Sequence, residues 1–136
     1  MMSVESATAL PRGGAIRSEE LAIALAVATQ DKKGEDVIVL DMRPLVDFCS
    51  FFVLVTAQNR RHAQALADEV RRIAREELGQ KITTMEGYAG GRWVLVDVEA
   101  VIVHVFDQPM RGFYHLDSLW SDAARVAVPA TGSPTA

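Results

Sequence analysis

The sequence predicts an α/β (α+β) domain, a mixed five-stranded sheet with helices packed on it. Three observations predict it. Short runs rich in valine, isoleucine and phenylalanine recur along the chain: "DVIVLDM" from Asp36, "SFFVLVTA" from Ser50 and "WVLVDVEAVIVHVF" from Trp93 to Phe106. Such runs have strand length and strand composition. Between them lies one long stretch, "NRRHAQALADEVRRIAREELGQ", with apolar side chains at Ala63, Leu66, Val70, Ile73 and Leu78, close to the helical repeat. The resulting order is helix, strand, strand, helix, strand, strand, strand, helix, without an internal repeat, and such a chain builds a mixed sheet covered by helices.

Taken in order, residues 1–17 contain Pro11, Gly13 and Gly14 and no clear period, and read as a flexible arm. Ser18 reads as a helix N-cap, with Glu19 and Glu20 at the positive end of the dipole. This first helix runs through Leu21, Leu25 and Ala28 and ends near Gly34. "DVIVLDM" is a strand that Pro44 breaks. "SFFVLVTA" lacks strict alternation, which predicts a strand buried on both faces. Asn59 caps the long helix, Asp68 and Arg72 stand at i,i+4 for an ion pair, and Gly79 is placed to end the helix as its C′ residue. The arginines of this helix are mixed with carboxylates and read as a solvated face. "KITTM" is a short strand. Pro109 ends the last strand, and "MRGFYHLDSLWSDAARV" predicts a turn and a short helix. A single domain therefore spans 18–127, and 128–136 is a disordered tail of small residues and proline.

Of the 136 residues, 49% are apolar and 24% charged, an ordinary globular composition. The formal net charge of −4 argues against nucleic acid as the main partner and favours a basic protein surface. The one cysteine, Cys49, allows no internal disulfide and reads as a small core residue rather than a nucleophile. "LAIALAVA" is too short to span a bilayer, which needs about 20 residues, and lacks the flanks of a signal peptide. These features predict a cytoplasmic location and no membrane partner.

The stretch from Trp93 to Phe106 reads as a hairpin with Glu99 and Ala100 at its tip. That loop sets Val98 opposite Val101, Asp97 opposite Ile102, Leu95 opposite His104 and Trp93 opposite Phe106. One face then carries six valines and is the core face. The other carries Trp93, Leu95, Asp97, Ile102, His104 and Phe106, and is either covered or offered to a partner. Asp97 and His104 are diagonal neighbours, near enough for a hydrogen bond. A catalytic Asp–His pair needs a nucleophile or metal beside it, and no motif surrounds Cys49, Ser50 or Thr56. His62 reads as a surface residue, and His115 lacks metal-ligand spacing. Asp97 and Glu99 resemble paired metal-holding carboxylates, but they fall at the hairpin tip, where strand alternation ends.

The motifs "FFVLVTAQNRRHAQALADEV", "EGYAGGRWVLVDVEAVIVHVF" and "RGFYHLDSLWSDA" resemble those of the ribosomal silencing factors, the Iojap family. Ser50 stands where that family usually has Asp, Ala57-Gln58-Asn59 replaces a Gly-Thr-Ser-like turn, and Glu99-Ala100 replaces Gly-Asp. The resemblance implies a nucleotidyltransferase-like core without an active site, no cofactor and no metal. It implies binding to the large ribosomal subunit through its protein L-fourteen, a block to small-subunit joining, translational repression under nutrient limitation, and a homodimer when free. The protein-binding residues expected are Trp93, Asp97, His104 and Phe106 on the hairpin face, with Glu86, Arg111 and Tyr114 arriving from neighbouring segments; Trp, Tyr and Arg are enriched in hot spots. Two rivals are a metal-dependent nucleotidyltransferase-like enzyme, resting on Asp97 and Glu99, and an RNA-contacting assembly factor, resting on the helix arginines. No sequence-specific nucleic-acid contact is expected.

Overall fold

In the computed structural model, residues 16–114 and 121–129 are described. Helix α1 (Ser18–Asp31) leads into β1 (Glu35–Asp41) and β2 (Phe51–Ala57). Helix α2 (Arg60–Arg72) follows and continues as a π-helical turn, Ile73–Glu77. Strands β3 (Ile82–Glu86), β4 (Trp93–Val98) and β5 (Val101–Asp107) come next, then α3 (Gln108–Tyr114) and β6 (Ala124–Val126). The described strands form one sheet in the order β3-β4-β5-β2-β1-β6. Only β2 and β5 pair in parallel among them; the other neighbours are antiparallel.

The sheet is mixed, as expected, but has six strands rather than five. The sixth, "ARV", pairs with β1 through Val39↔Val126 and Asp41↔Ala124, in a stretch expected to be helical. Three residues on a sheet edge carry no alternation to read; the neighbouring strand defines them. The hairpin register is the expected one throughout, Trp93↔Phe106 to Val98↔Val101, with Glu99 at a φ of 51° in the tip. All seven residues of β2 are buried.

The six hairpin valines are completely buried against α1 and α2. Burying such a side chain contributes roughly 1.5–3 kcal/mol relative to leaving it in water, so this face dominates the stability. Ile16 joins the same core and Val128 packs against it, so the packed domain reaches slightly beyond 18–127. Residues 1–15 of the expected arm and 130–136 of the expected tail, along with His115, lie outside the described residues.

Helix boundaries follow local chemistry. Ser18 is the first helical residue rather than the cap; Arg17 takes the cap position, and its N–H donates to the Glu20 carboxylate at 3.4 Å. At the other end Lys33 adopts the left-handed conformation, and the Gly34 N–H closes onto Thr29 O at 2.8 Å. A Cβ on Gly34 would lie 2.5 Å from Val55 Cγ2, so glycine is required there for space. Asn59 caps α2 as expected, its Oδ1 accepting the His62 N–H at 2.8 Å, and Gly79, at φ 66°, ends it. The His62 ring is half-buried: Nδ1 accepts the Gln58 N–H at 2.9 Å, which leaves the proton on Nε2 to donate to Lys32 O at 2.8 Å. That clamps the α1–β1 turn to the start of α2. Pro109 does not end β5 but occupies the first turn of α3, where a missing N–H costs nothing; Asp107 accepts the Met110 N–H at 2.8 Å as the cap.

Candidate protein-binding face

Both helices α1 and α2 pack on the valine face. The opposite face of the sheet carries a second, smaller core of Leu40, Met42, Phe52, Leu54, Ile102 and Phe106, with Trp93, Leu95, Ile38 and Met110 partly buried against it. Alternation in β4 and β5 puts the sequence-predicted residues here.

Phe106 is fully buried and His104 is 5% exposed, so these two lie beneath the surface and support it. They were expected as contacts, but the β2 side chains Phe52 and Leu54 fill the space beside them. The His104 ring is stacked on Phe106 at 5.9 Å and meets Phe52 edge-on at 4.5 Å. Trp93 is partly exposed, its ring 5.0 Å from Phe106. Its indole N–H donates to His104 Nδ1 at 3.2 Å. Because an indole nitrogen only donates, Nδ1 must accept, and the neutral imidazole carries its proton on Nε2. Burial pushes the His104 pKa down to about 4, keeping the ring neutral at physiological pH.

Asp97 does not pair with His104. Trp93 claims the ring nitrogen instead, and Asp97 is partly exposed. Partial burial, then Glu86, then Glu99 raise its pKa above the ordinary range. Glu86 is exposed on β3 across from Leu95, and Thr84 lies across from Asp97. Glu99 sits in the turn, where its carboxylate accepts the Lys81 N–H at 3.4 Å. The two carboxylates proposed as a metal pair are therefore on differently oriented backbone, and no group of three His, Cys, Asp or Glu among the described residues is placed to hold a metal.

The Arg111 guanidinium donates to Thr56 Oγ1 at 2.8 Å and Asp36 O at 3.1 Å, and so ties α3 to β2 and β1. The Tyr114 side chain lies outside the described residues. The structure thus brings Trp93, His104, Phe106, Asp97 and Glu86 together and places the Arg111 guanidinium on Thr56 and Asp36.

Cys49 is buried, and burial together with the nearby Asp97 pushes its thiol up to about 11, so it is protonated at neutral pH. On the outer side of α2, Arg72 pairs not with Asp68 but with Glu69 at 2.9 Å and Glu77 at 3.3 Å. Asp68 instead accepts the Tyr88 hydroxyl at 2.9 Å and lies 3.5 Å from Arg71. Carboxylates thus offset the arginines that the RNA-contacting reading rests on.

A mixed sheet with α1 and α2 on one face, and on the other a smaller core beside α3 with Trp93 partly exposed, defines an α/β domain. The family model for "Ribosomal silencing factor during starvation" matches residues 15–136, and the chain belongs to that family. It is 39% identical over 99 residues to Ribosomal silencing factor RsfS of Halalkalibacterium halodurans, covering 73% of this chain and 84% of the relative. It is likewise 39% identical over 98 residues to Ribosomal silencing factor RsfS of Bacillus subtilis, covering 72% and 82%. A crystal structure of a Chromobacterium violaceum protein superposes with a TM-score of 0.72 at 34% identity, covering 86% of this chain and 98% of that one. No helix among the described residues is long and apolar enough to cross a membrane.

Proposed function

We propose that this chain is a steric, non-catalytic silencing factor of the cytoplasm. It binds the large ribosomal subunit through protein L-fourteen, occupies the surface where the small subunit docks, and represses translation when nutrients are limiting. The observation that carries the reading is the sheet face opposite α1 and α2, where the partly exposed Trp93 and Leu95 stand beside Asp97 and Glu86. An aromatic anchor on an ordered bed is the composition of a protein-binding hot spot, and the carboxylates favour encounter with a basic protein. Membership of the silencing-factor family supports the same partner. The free chain pairs as a homodimer through this face.

Co-sedimentation with purified large subunits tests the reading. The chain should pellet with large subunits alone, and subunit mixtures preincubated with it should form fewer joined ribosomes. Joining unchanged at saturating chain, or no pelleting at all, overturns it. Sedimentation equilibrium showing only monomer at high micromolar concentration removes the dimer.

A further inference from the structure

The described residues expose two large apolar side chains strongly, Leu45 at 43% and Phe48 at 66%. Both stand in one loop, residues 42–50, which joins β1 to β2. The loop is held in shape. Met42 N–H donates to Ser50 O at 2.9 Å, and Leu45 and Val46 N–H groups both donate to Met42 O at 3.0 Å. Val46 and Cys49 turn inward onto the second core, which leaves Leu45 and Phe48 turned out. Arg43, the one cation of the loop, is tied to Asp41 at 2.7 Å and lies over the Phe51 ring at 4.9 Å.

The loop abuts the hairpin tip, where the Ser50 N–H donates to Ala100 O at 2.7 Å. Asp97 is close enough to Cys49 to act on its thiol, and Glu86 and Glu99 act on Asp97. The loop thus lies beside the hairpin tip that carries Glu99, on the side of the sheet where Asp97 and Glu86 stand, and the exposed Asp47 adds a fourth carboxylate. This charge would repel a phosphate backbone and match a cationic protein.

We propose that loop 42–50 is the second half of the docking surface, seating the Phe48 ring in an apolar hollow of a basic protein while Asp47, Glu86, Asp97 and Glu99 face its cations. The inference rests on the ribosome-binding reading and adds to it the anchor and the chemistry of the partner. Exposure of Phe48 is tolerated because the partner covers it.

The test measures binding of the full chain to purified large subunits for wild type, Phe48→Ala, Phe48→Trp, Asp47→Asn and Asp97→Lys, with melting curves to confirm the fold. Phe48→Ala should weaken binding by roughly tenfold or more, mainly through faster dissociation, and Phe48→Trp should retain most of it. The Phe48 effect should persist in high salt, whereas Asp47→Asn should slow association in a way that salt erases. Phe48→Ala binding like wild type while Asp97→Lys binds poorly overturns the loop and leaves the ribosome-binding reading standing. Wild type failing to bind overturns that reading itself. Loss of self-association without loss of subunit binding makes the occupant a second copy, and equal binding to protein-free ribosomal RNA makes it nucleic acid; either result overturns the proposal.

Discussion

His104 makes the stability of this domain depend on pH in a range where carboxylates contribute little. Burial lowers its pKa to about 4 from an unfolded value of 6.5. Between those values the unfolded chain binds a proton that the folded chain refuses. Stability is therefore complete above about pH 6.5 and falls as the pH drops toward 4. The loss at pH 4 follows from the two values and comes to about 3 kcal/mol. The geometry gives the reason: the ring lies between Phe52 and Phe106, and its Nδ1 is already occupied by the Trp93 indole N–H. Protonation would set one N–H against another in an apolar site. Urea unfolding followed by circular dichroism at pH 7 and pH 4.5, for wild type and His104→Asn, measures the term. The variant retains an oxygen near the Nδ1 position and cannot titrate. Asp41, held low by Arg43, and Glu69, held low by Arg72, also lose stabilisation as the pH falls, while Asp97, with its raised pKa, changes in the opposite sense. Those groups are common to both proteins, so the difference between the two pH dependences isolates His104. Wild type should lose about 2–3 kcal/mol more than the variant over that range. Equal slopes would refute the reasoning, because the ring would then have to accept its proton without cost.

Three further outcomes are expected. Gly34→Ala should cost about 1–3 kcal/mol in denaturant unfolding, since the added methyl meets Val55 Cγ2 at 2.5 Å and Thr29 O at 2.9 Å; an unchanged midpoint would mean the turn relaxes freely. Arg111→Ala should release α3, seen as faster limited proteolysis after β5, and Arg111→Lys should not restore protection, because a single ammonium cannot span Thr56 Oγ1 and Asp36 O as the fork does. Trp93→Phe should leave His104 Nδ1 without the indole donor and cost about 1 kcal/mol of stability, while weakening large-subunit binding less than Trp93→Ala; equal losses in the two variants would place the binding contribution in the N–H rather than the ring.

Legibility in the sequence followed the range of the interactions. A two-residue hairpin tip sets every pairing from Trp93↔Phe106 inward, so register and the valine face were readable from one stretch. The Asn59 cap and the Gly79 terminus were readable because each depends on neighbours within a few residues. What failed depended on distant partners. Arg72 had Asp68, Glu69, Glu76 and Glu77 within reach along the helix, and Tyr88, 20 residues on, claims Asp68. Asp97 was near His104 on the diagonal, but a donor-only indole in the same patch needs an acceptor and takes it. Arg111 is held by Thr56, 55 residues earlier, a contact that no local pattern announces. Leu45 and Phe48 were missed because a loop has no period. The available signal was two large apolar residues between Pro44 and Ser50, in a segment that belongs to no strand.

The two faces of the sheet divide the work of stability and display. The valine face is sealed by α1 and α2 and fixes the strands. That leaves the other face free to carry a ring that is not fully buried. Trp93 is nevertheless not loose: Phe106 beneath it and the bond to His104 set its orientation before any partner arrives. Ordering a large side chain at an interface costs about 0.5–1.5 kcal/mol, and here folding has already met that cost. In the proposed complex the same aromatic bed that makes His104 sensitive to acid holds Trp93 ready. Acid strong enough to protonate His104 should therefore weaken partner binding before the valine core unfolds, because the ring loses its support while α1 and α2 still hold the strands.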